Sequence, residues 1–503
     1  MASFFKNRDI ISITDFTKEE ILYLCKVGKS MYEKEKKGER HSLSGNLKNR
    51  TLASMFYEPS TRTRFSFHTA IRELGGGCDG FSGTEGTSVM KKETIRDTIM
   101  MMGANHFDAI VMRHPLDGSI QWAADVANIP VINGGDGKNE HPTQALLDIL
   151  TLYMMNNENL DGISIGFGGD LSHGRTIRSL SLALSHFRDV TIRWAAEDFL
   201  GMPGDLTDLL EERGVRVIRD PHVRTVLEHV DFFYMTRPQI ERMEGVTQKQ
   251  IMEMMDRYRI NSEKVEGLKV KLMHPLPVNS EVAEIDYPVY FSSAQAFFLQ
   301  AEFGIFLRKA LLYEMLSTET YLPFQSTLPG ELAAGNNRLY RAGREKKKEG
   351  MFIDTISSGT VIDHLKPGTL KKVEASLDLE NRGYSCIAAS IQGKKNPFLK
   401  TNLARLTERD LKRIALVSPE PTINHIENEK VAQKYVYLLC SNANCVSRVI
   451  TEDVPPKFYA DNSTVRCRYC RRPLRIESRK VTEEDRQRFI QSLPPGIDQV
   501  KYD

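Results

Sequence analysis

The segment Glu58-Pro59-Ser60-Thr61-Arg62-Thr63-Arg64 follows an apolar run, TLASMFY, and leads into a helical pattern, RFSFHTAIREL. Ser60 and Thr61 are natural N-caps, and first-turn amides point outward with the positive end of the helix dipole behind them. Hydroxyls at Ser60, Thr61 and Thr63 add donors, and the Arg62 guanidinium can hold two phosphate oxygens at once. The chemistry on offer is capture of a phosphate. Taken singly, such a string also describes a capped helix with surface arginines. Two further apolar runs end in polar groups, AIVMR in Arg113-His114-Pro115 and IPVIN in Gly134-Gly135-Asp136-Gly137, the latter leading to His141-Pro142-Thr143-Gln144.

The second half of the α/β pattern repeats the habit. Arg175 follows GISIGFGG, Arg237 and Gln239 follow VDFFYMT, and His274-Pro275-Leu276-Pro277 follows LKVKLM. Two arginines at separate strand ends suit an acceptor with two carboxylates, each met by a planar fork. Taken alone, Arg237 is equally an ion-pair partner. Far along the chain, Cys440-x4-Cys445 and Cys467-x2-Cys470 supply four thiolates in two close pairs, a spacing suited to tetrahedral zinc. Four such ligands leave no place for water, so the site is expected to be structural.

The elements that must position these groups follow from periodicity. Short apolar runs alternate with helical patterns such as PTQALLDILTLY, and a second set (GISIGFGG, VTIRWAA, VRVIRD, VDFFYMTR, LKVKLMHPL) follows, the rhythm of parallel α/β sheets. Ligands in open sheets sit beyond the carboxyl ends of strands, where these polar groups fall. The expected fold is α/β, a two-lobed region with parallel sheets followed by a small α+β domain and a zinc-binding β domain. Residues 1–145 and 146–292 are the two lobes, the first completed by a helix at about 293–316. Residues 317–350, with a cationic cluster from Arg338 to Lys348, read as a linker. Strand-like runs GTVIDHL, VEASLDL and CIAASI mark a domain over 351–434, and a cysteine-bearing domain with its tail spans 435–503.

The 503 residues exceed one compact core, and 41% hydrophobic with 27% charged residues is ordinary globular composition. A net charge of +2 gives no global pull toward nucleic acid or an anionic membrane. No run approaches the roughly 20 apolar residues of a bilayer span. The start, MASFFKNRDIISITDF, has charges where a secretory signal needs an apolar stretch, so the expected location is cytoplasmic. Arginines at 466, 468, 471, 472 and 475 raise a nucleic-acid alternative for the cysteine domain, but Tyr469 is its main stacking residue. Nucleic acid is therefore not an expected partner.

Together, STRTR, RHP and HPTQ in this order resemble the carbamoyltransferases, which move a carbamoyl group from carbamoyl phosphate to an amine. The resemblance implies that Ser60, Thr61, Arg62 and Thr63 bind phosphate, that Arg113 bridges phosphate and carbonyl oxygen, and that His141 and Gln144 meet the carbamoyl group. Thr63, Arg113 and His141 would then stabilise the oxyanion, each such donor lowering the barrier by about 2.7–4 kcal/mol. The second-half motifs resemble the aspartate branch: Arg175 would hold the α-carboxylate, Arg237 and Gln239 the side-chain carboxylate, and the Pro275-Leu276 backbone the amine. The ornithine branch typically carries HCLP, where this chain has Pro275, and its cationic acceptor would be repelled by Arg237. In the family a serine and a lysine reach into the neighbouring subunit's site, which implies catalytic trimers; Ser88 and Lys91 are the candidates. Lys92 stands where the pattern has glycine, leaving Lys91 and Lys92 both open, and Val278 stands where arginine commonly follows HPLP. Carbamoyl phosphate and L-aspartate are the implied substrates, with no organic cofactor.

Gly359-Thr360-Val361-Ile362-Asp363-His364-Leu365 and Thr422-Ile423-Asn424-His425-Ile426 resemble the family's regulatory chain, normally a separate polypeptide. That implies a nucleotide effector site at Asp363, His364, Lys400, Asn424 and Lys434, and ATP, CTP or UTP as effectors. A degenerate nucleotide-binding scaffold is the noncatalytic alternative, which loss of the STRTR arginine or HPTQ histidine would favour; both are present.

Overall fold

The computed structural model describes residues 5–323, except 221, 238–252, 254–255 and 280–282, and residues 335–474, except 337, 341–357, 379–381, 383, 385, 390–396, 404, 428–429, 453 and 462–463. The chain divides into two compact units, Met1–Pro329 and Gly330–Asp503.

In the first unit, helix α1 (Lys18–Lys36) opens with a capping box, Thr17 and Glu20 satisfying each other's amides. It is followed by β1 (Thr51–Phe56), α2 (Thr61–Glu73), β2 (Gly77–Ser82), α3 (Ile95–Ala104), β3 (Ala109–His114), α4 (Ser119–Val126), β4 (Val131–Asp136) and α5 (Pro142–Met155). The four strands form a parallel sheet in the order β2-β1-β3-β4. Edge strand β2 is an addition to the expected pattern; its GCDGFS sequence is half-exposed and glycine-rich and lacks the apolar signal of a buried strand.

The second lobe comprises β5 (Ser164–Gly168), α6 (Arg175–Leu184), β6 (Thr191–Ala195), α7 (Gly204–Glu212), β7 (Arg216–Arg219), α8 (Val223–Glu228), β8 (Phe232–Met235), α9 (Ser262–Val265) and β9 (Lys271–Met273). Its strands are again parallel, ordered β7-β6-β5-β8-β9. The long α10 (Phe297–Leu316) then returns to pack on α1, α2 and α5. It is apolar on nearly all sides, as a helix enclosed by others must be. Leu307, Leu311 and Leu312 are fully buried there, each side chain stabilising the fold by about 1.5–3 kcal/mol.

The second unit holds a six-stranded antiparallel sheet, ordered β11-β16-β15-β12-β14-β13. Its elements are β10 (Gly335–Asn336), β11 (Arg338–Tyr340), β12 (Ser358–Asp363), α11 (Leu370–Leu377), β13 (Cys386–Ala389), β14 (Phe398–Thr401), α12 (Glu408–Val417), β15 (Thr422–Glu427) and β16 (Lys430–Tyr437). A small sheet of β10, β17 (Lys457–Asp461) and β18 (Thr464–Cys467) adjoins the cysteines.

Two expectations are corrected. VEASLDL is not a strand: Val373 and Leu377, spaced four apart and fully buried, lie on one face of α11. Nor is 317–350 wholly a linker. Tyr23 donates from its hydroxyl to the Leu322 carbonyl at 2.9 Å, tying the end of the first unit down. Gly335–Asn336 and Arg338–Tyr340 are strands of the second unit.

Candidate active site

The carboxyl ends of β1, β3, β4, β5, β8 and β9 open on one cleft of about 750 Å³. Arg62, Arg113, Arg175, Arg237 and Arg308 line it against a single carboxylate among the described residues, Glu58. Such a surface selects anions.

The β1–α2 turn supplies Ser60, Thr61, Arg62 and Thr63. Ser60 occupies the N-cap position, yet its side chain makes no cap hydrogen bond, and no acid stands in the first turn of α2. The expectation that the hydroxyl caps the helix is therefore corrected: Ser60 has the extended backbone usual at an N-cap but makes no cap hydrogen bond, and it lines the cleft. Arg62 donates from Nη2 to the Leu276 carbonyl at 2.8 Å, reaching from one lobe to the other. Burial lowers its guanidinium pKa.

Arg113 leaves β3 and donates from Nη2 to Glu58 Oε1 at 3.0 Å. Arg175, first residue of α6, donates from Nη1 to the Gly137 carbonyl at 2.8 Å and approaches Glu58 Oε2 at 3.5 Å. Burial alone would raise Glu58, but the charges and hydrogen bonds of Arg175 and Arg113 prevail and hold it below its usual value. Burial, then the charge of Arg175, presses Arg113 down to about 10. Gly135 makes this crowding feasible: its φ is +115°, and a Cβ there would meet the Arg175 guanidinium at 3.1 Å and the His141 ring at 3.3 Å.

His141 is the N-cap residue of α5, with Pro142 at the first helical position. Its amide donates to Ser179 Oγ at 2.9 Å, while Nε2 lies 3.4 Å from the Thr63 hydroxyl. Burial first, then the charges of Arg175, Arg113 and Arg308, holds the ring well below its ordinary pKa. It is therefore a neutral imidazole. One turn on, Gln144 donates from Nε2 to Asp148 Oδ1 at 2.9 Å.

In the second lobe, Arg237 follows β8 and lines the cleft with Pro275 and Leu276. The Leu276–Pro277 bond is cis. His274 is buried, with Nε2 3.1 Å from Glu284 Oε1, and its amide donates to Gln300 Oε1 at 2.9 Å. Gln239 lies outside the described residues. Ser88, Lys91 and Lys92 are exposed and do not line the cleft of their own chain. Ser88–Lys91 form a single 3-10 turn closed by Lys92 at φ 66°, the left-handed region that glycine occupies at no steric cost.

In the second unit, backbone register sets Lys400 and Asn424 both opposite Val361, and Lys434 opposite Asn424, so the three fall in one row across β14, β12, β15 and β16. Lys400 and Asn424 are buried. Asp363 lies two residues along β12 from that row, and the exposed His364 approaches its carboxylate at 3.6 Å. The Lys434 side chain lies outside the described atoms.

Cys440, Cys445, Cys467 and Cys470 are all buried, their sulfurs within 4.8 Å of one another. Sulfur separations of 3.5 Å (Cys440–Cys470) and 3.8 Å (Cys445–Cys467) match the edge of a tetrahedron with metal–sulfur bonds of about 2.3 Å. The donor set fits a structural metal. Tyr469, by contrast, is buried and donates to the Pro455 carbonyl at 3.0 Å, which removes it as a base-stacking platform.

Comparison with known proteins identifies the domains that carry this cleft. Residues 8–154 match the carbamoyl-phosphate-binding domain of aspartate/ornithine carbamoyltransferases, and 161–315 match the Asp/Orn-binding domain. The catalytic subunit of aspartate carbamoyltransferase from Thermococcus kodakarensis is 41% identical over 310 residues, covering 61% of this chain and 96% of that protein. The chain belongs to the aspartate carbamoyltransferases. The Bacteroides fragilis catalytic subunit is 36% identical over 314 residues, covering 62% of this chain and 97% of its own. Among solved structures, the M. jannaschii aspartate transcarbamoylase catalytic subunit superposes with a TM-score of 0.57 at 37% identity, covering 61% of this chain and 97% of its own. The Trypanosoma cruzi aspartate transcarbamoylase bound to N-(phosphonacetyl)-L-aspartic acid gives 0.58 at 33%, with coverage of 63% and 98%. Residues 351–437 match the allosteric domain of the aspartate carbamoyltransferase regulatory chain and 434–479 its metal-binding domain. This aspartate carbamoyltransferase thus carries regulatory domains on the same polypeptide as the catalytic ones, and transfers a carbamoyl group to aspartate in pyrimidine synthesis.

Several site residues escape a reading by motif. Glu58 sits inside the recognised string but has no role there, and Gln300, Arg308 and Asp148 lie within helices. Their signal is polarity inside an apolar helix: Asp148 interrupts ALLDILTLY, and Arg308 interrupts FGIFLRKALL.

Proposed function

We propose that Ser60, Thr61, Arg62 and Thr63 hold the phosphate of carbamoyl phosphate, with Arg113 bridging phosphate and carbonyl oxygen. Thr63, Arg113 and His141 donate to that oxygen, and Gln144 meets the carbamoyl amino group. Arg175 takes the α-carboxylate of L-aspartate, Arg237 and Gln239 its side-chain carboxylate, and the carbonyls of Pro275 and Leu276 orient the amine. The observation that carries this reading is the convergence of five guanidinium groups on one cleft beside a neutral imidazole. The dianion binds first. The neutral α-amine then attacks the carbamoyl carbon, forming the C–N bond; a phosphate oxygen accepts the amine proton as the C–O bond breaks. Phosphate leaves, and proximity with fixed donors supplies most of the acceleration. Initial rates with aspartate and with ornithine, for wild type and Arg113→Ala, test it: turnover confined to ornithine, or undiminished in the variant, defeats the assignment.

The same reading extends along the chain. Ser88 and Lys91 complete the site of a neighbouring subunit, so the assembly is built on catalytic trimers in a cytoplasmic homo-oligomer. The left-handed backbone of Lys92 supports Lys91 over Lys92, since it fills the place of the family's glycine. The four cysteines hold one zinc, whose preference for four thiolates in a closed tetrahedron suits the cluster. Residues 351–434 form the effector domain, with Asp363, His364, Lys400, Asn424 and Lys434 as a nucleotide site for ATP, CTP or UTP. Calorimetric titration of each nucleotide, repeated on Lys400→Ala, checks that site.

A further inference from the structure

Asp148 lies in the middle of α5, fully buried, one turn beyond Gln144. It collects donors from both lobes. Oδ1 accepts from Gln144 Nε2 at 2.9 Å and from Gln300 Nε2 at 2.6 Å, and Oδ2 accepts from the Tyr234 hydroxyl at 2.9 Å. Gln144 and Gln300 stand on α5 and α10, Tyr234 on β8. The other end of the Gln300 amide accepts the His274 N–H, at the start of the loop carrying Pro275 and Leu276.

A glutamine amide has two ends of one shape and opposite hydrogen-bonding character. Oδ1 of Asp148 already takes two N–H donors, so it acts as an acceptor whether or not Oδ2 carries a proton. It can therefore hold only the NH2 end of Gln144. The carbonyl end is left for the cleft that Gln144 lines. The neighbouring groups, Thr63, Arg113 and His141, are all able to donate, and suit the carbonyl oxygen of a carbamoyl group. Its amino group needs an acceptor instead.

We propose that Asp148 is a positioning residue for the reaction: by fixing the NH2 end of Gln144, it presents the Gln144 carbonyl to the amino group of carbamoyl phosphate. In doing so it sets the preference for a carbamoyl over an acyl group of the same shape. The inference rests on the proposed role of Gln144. Acetyl phosphate is the matched probe, because a methyl group replaces the amino group and the phosphate grip is unchanged.

The measurement is the ratio of kcat/KM for carbamoyl phosphate to that for acetyl phosphate, with aspartate as acceptor and the full chain throughout. Gln144→Ala lowers the ratio about tenfold, the value of one hydrogen bond of this type. Asp148→Leu lowers it as far, through slower carbamoyl transfer, while inhibition by inorganic phosphate is unchanged. Asp148→Asn keeps an accepting oxygen toward Gln144 and holds the wild-type ratio. Tyr234→Phe removes the donor to Oδ2 and a contact of Tyr234 with Gln144 but leaves the Oδ1–Gln144 bond in place, and also holds the ratio. Gln144→Ala/Asp148→Leu is no less selective than Gln144→Ala. Because Asp148→Leu removes the carboxylate acceptor of the Tyr234 hydroxyl, Asp148→Leu/Tyr234→Phe is prepared with it, and thermal transitions verify folding. A ratio unmoved by Gln144→Ala refutes the role of Gln144 itself. A ratio that falls in Gln144→Ala but survives Asp148→Leu, or falls equally in Asp148→Asn and Tyr234→Phe, overturns the role of Asp148.

Discussion

Arg62 Nη2 lies 2.8 Å from the carbonyl oxygen of Leu276, spanning the two lobes of the catalytic unit. The guanidinium assigned to phosphate thereby covers an oxygen assigned to the incoming amine. If Arg62 holds phosphate as proposed, arrival of the dianion is expected to draw it away and uncover that oxygen, so that aspartate binds second. Calorimetry checks this: aspartate alone gives little heat, and aspartate added after a nonreactive carbamoyl phosphate analogue gives a full isotherm. Arg62→Ala abolishes the order, allowing aspartate to bind first.

Removing an oxyanion donor is expected to lower turnover without unfolding the protein. His141→Ala lowers kcat by about 10²–10³. His141 is neutral in the folded site, so the falling limb of the acid pH profile does not move when His141 is replaced by glutamine. An acid limb that disappears in His141→Gln would show instead that the imidazole titrates during turnover.

Asp148 carries a signed pH dependence. Burial raises its pKa to about 7 from 3.8, against the pull of Gln300, Tyr234 and Gln144. The folded state thus binds the proton more tightly than the unfolded chain, so this contribution to stability is complete below about 3.8 and is lost as pH rises through about 7. Asp148→Asn has no such loss. Thermal melts across roughly pH 4 to 7 should show the variant gaining on wild type as pH rises, by several degrees at about 2–4 °C per kcal/mol, with the difference levelling off above about 7. A constant difference in Tm contradicts the raised value.

The lysine pair separates cleanly. Lys92 adopts φ 66°, which costs a side-chain-bearing residue about 1 kcal/mol. Lys92→Gly is expected to keep activity and raise Tm slightly. Lys91→Ala loses activity by about 10²-fold, as the loss of a charge donated to substrate should. Mixing inactive Lys91→Ala with inactive His141→Ala protomers restores partial activity, because one hybrid site then contains both residues. No recovery on mixing rejects the shared site.

Metal content gives a fifth check. Elemental analysis should find about one zinc per chain, lost in Cys445→Ser and released by a thiol-directed mercurial. Iron in place of zinc, or no metal in freshly purified protein, overturns the assignment.

Much of this site is legible in the sequence because strand ends in parallel sheets are where ligands bind, and STRTR, RHP, HPTQ and HPLP all fall there. Pairing across long stretches of chain is what hides the remainder. Glu58, Gln300 and Arg308 gain their meaning from partners more than fifty residues distant, as Glu58 does from Arg113 and Arg175. VEASLDL misleads as a strand because a four-residue apolar spacing is short enough to fit either periodicity, and packing in the second unit settles it as α11. β2 is the reverse case, a strand held by its neighbour's backbone with little apolar pattern of its own.

Glu58 bonded to Arg113 has one more implication. The unliganded cleft already seats an anion of its own beside Arg113 and Arg175, which offsets part of their charge before any substrate arrives. Because five guanidinium groups face that single carboxylate, an excess of positive charge remains for the dianion, so affinity should fall as ionic strength rises, and Glu58→Gln should steepen the fall.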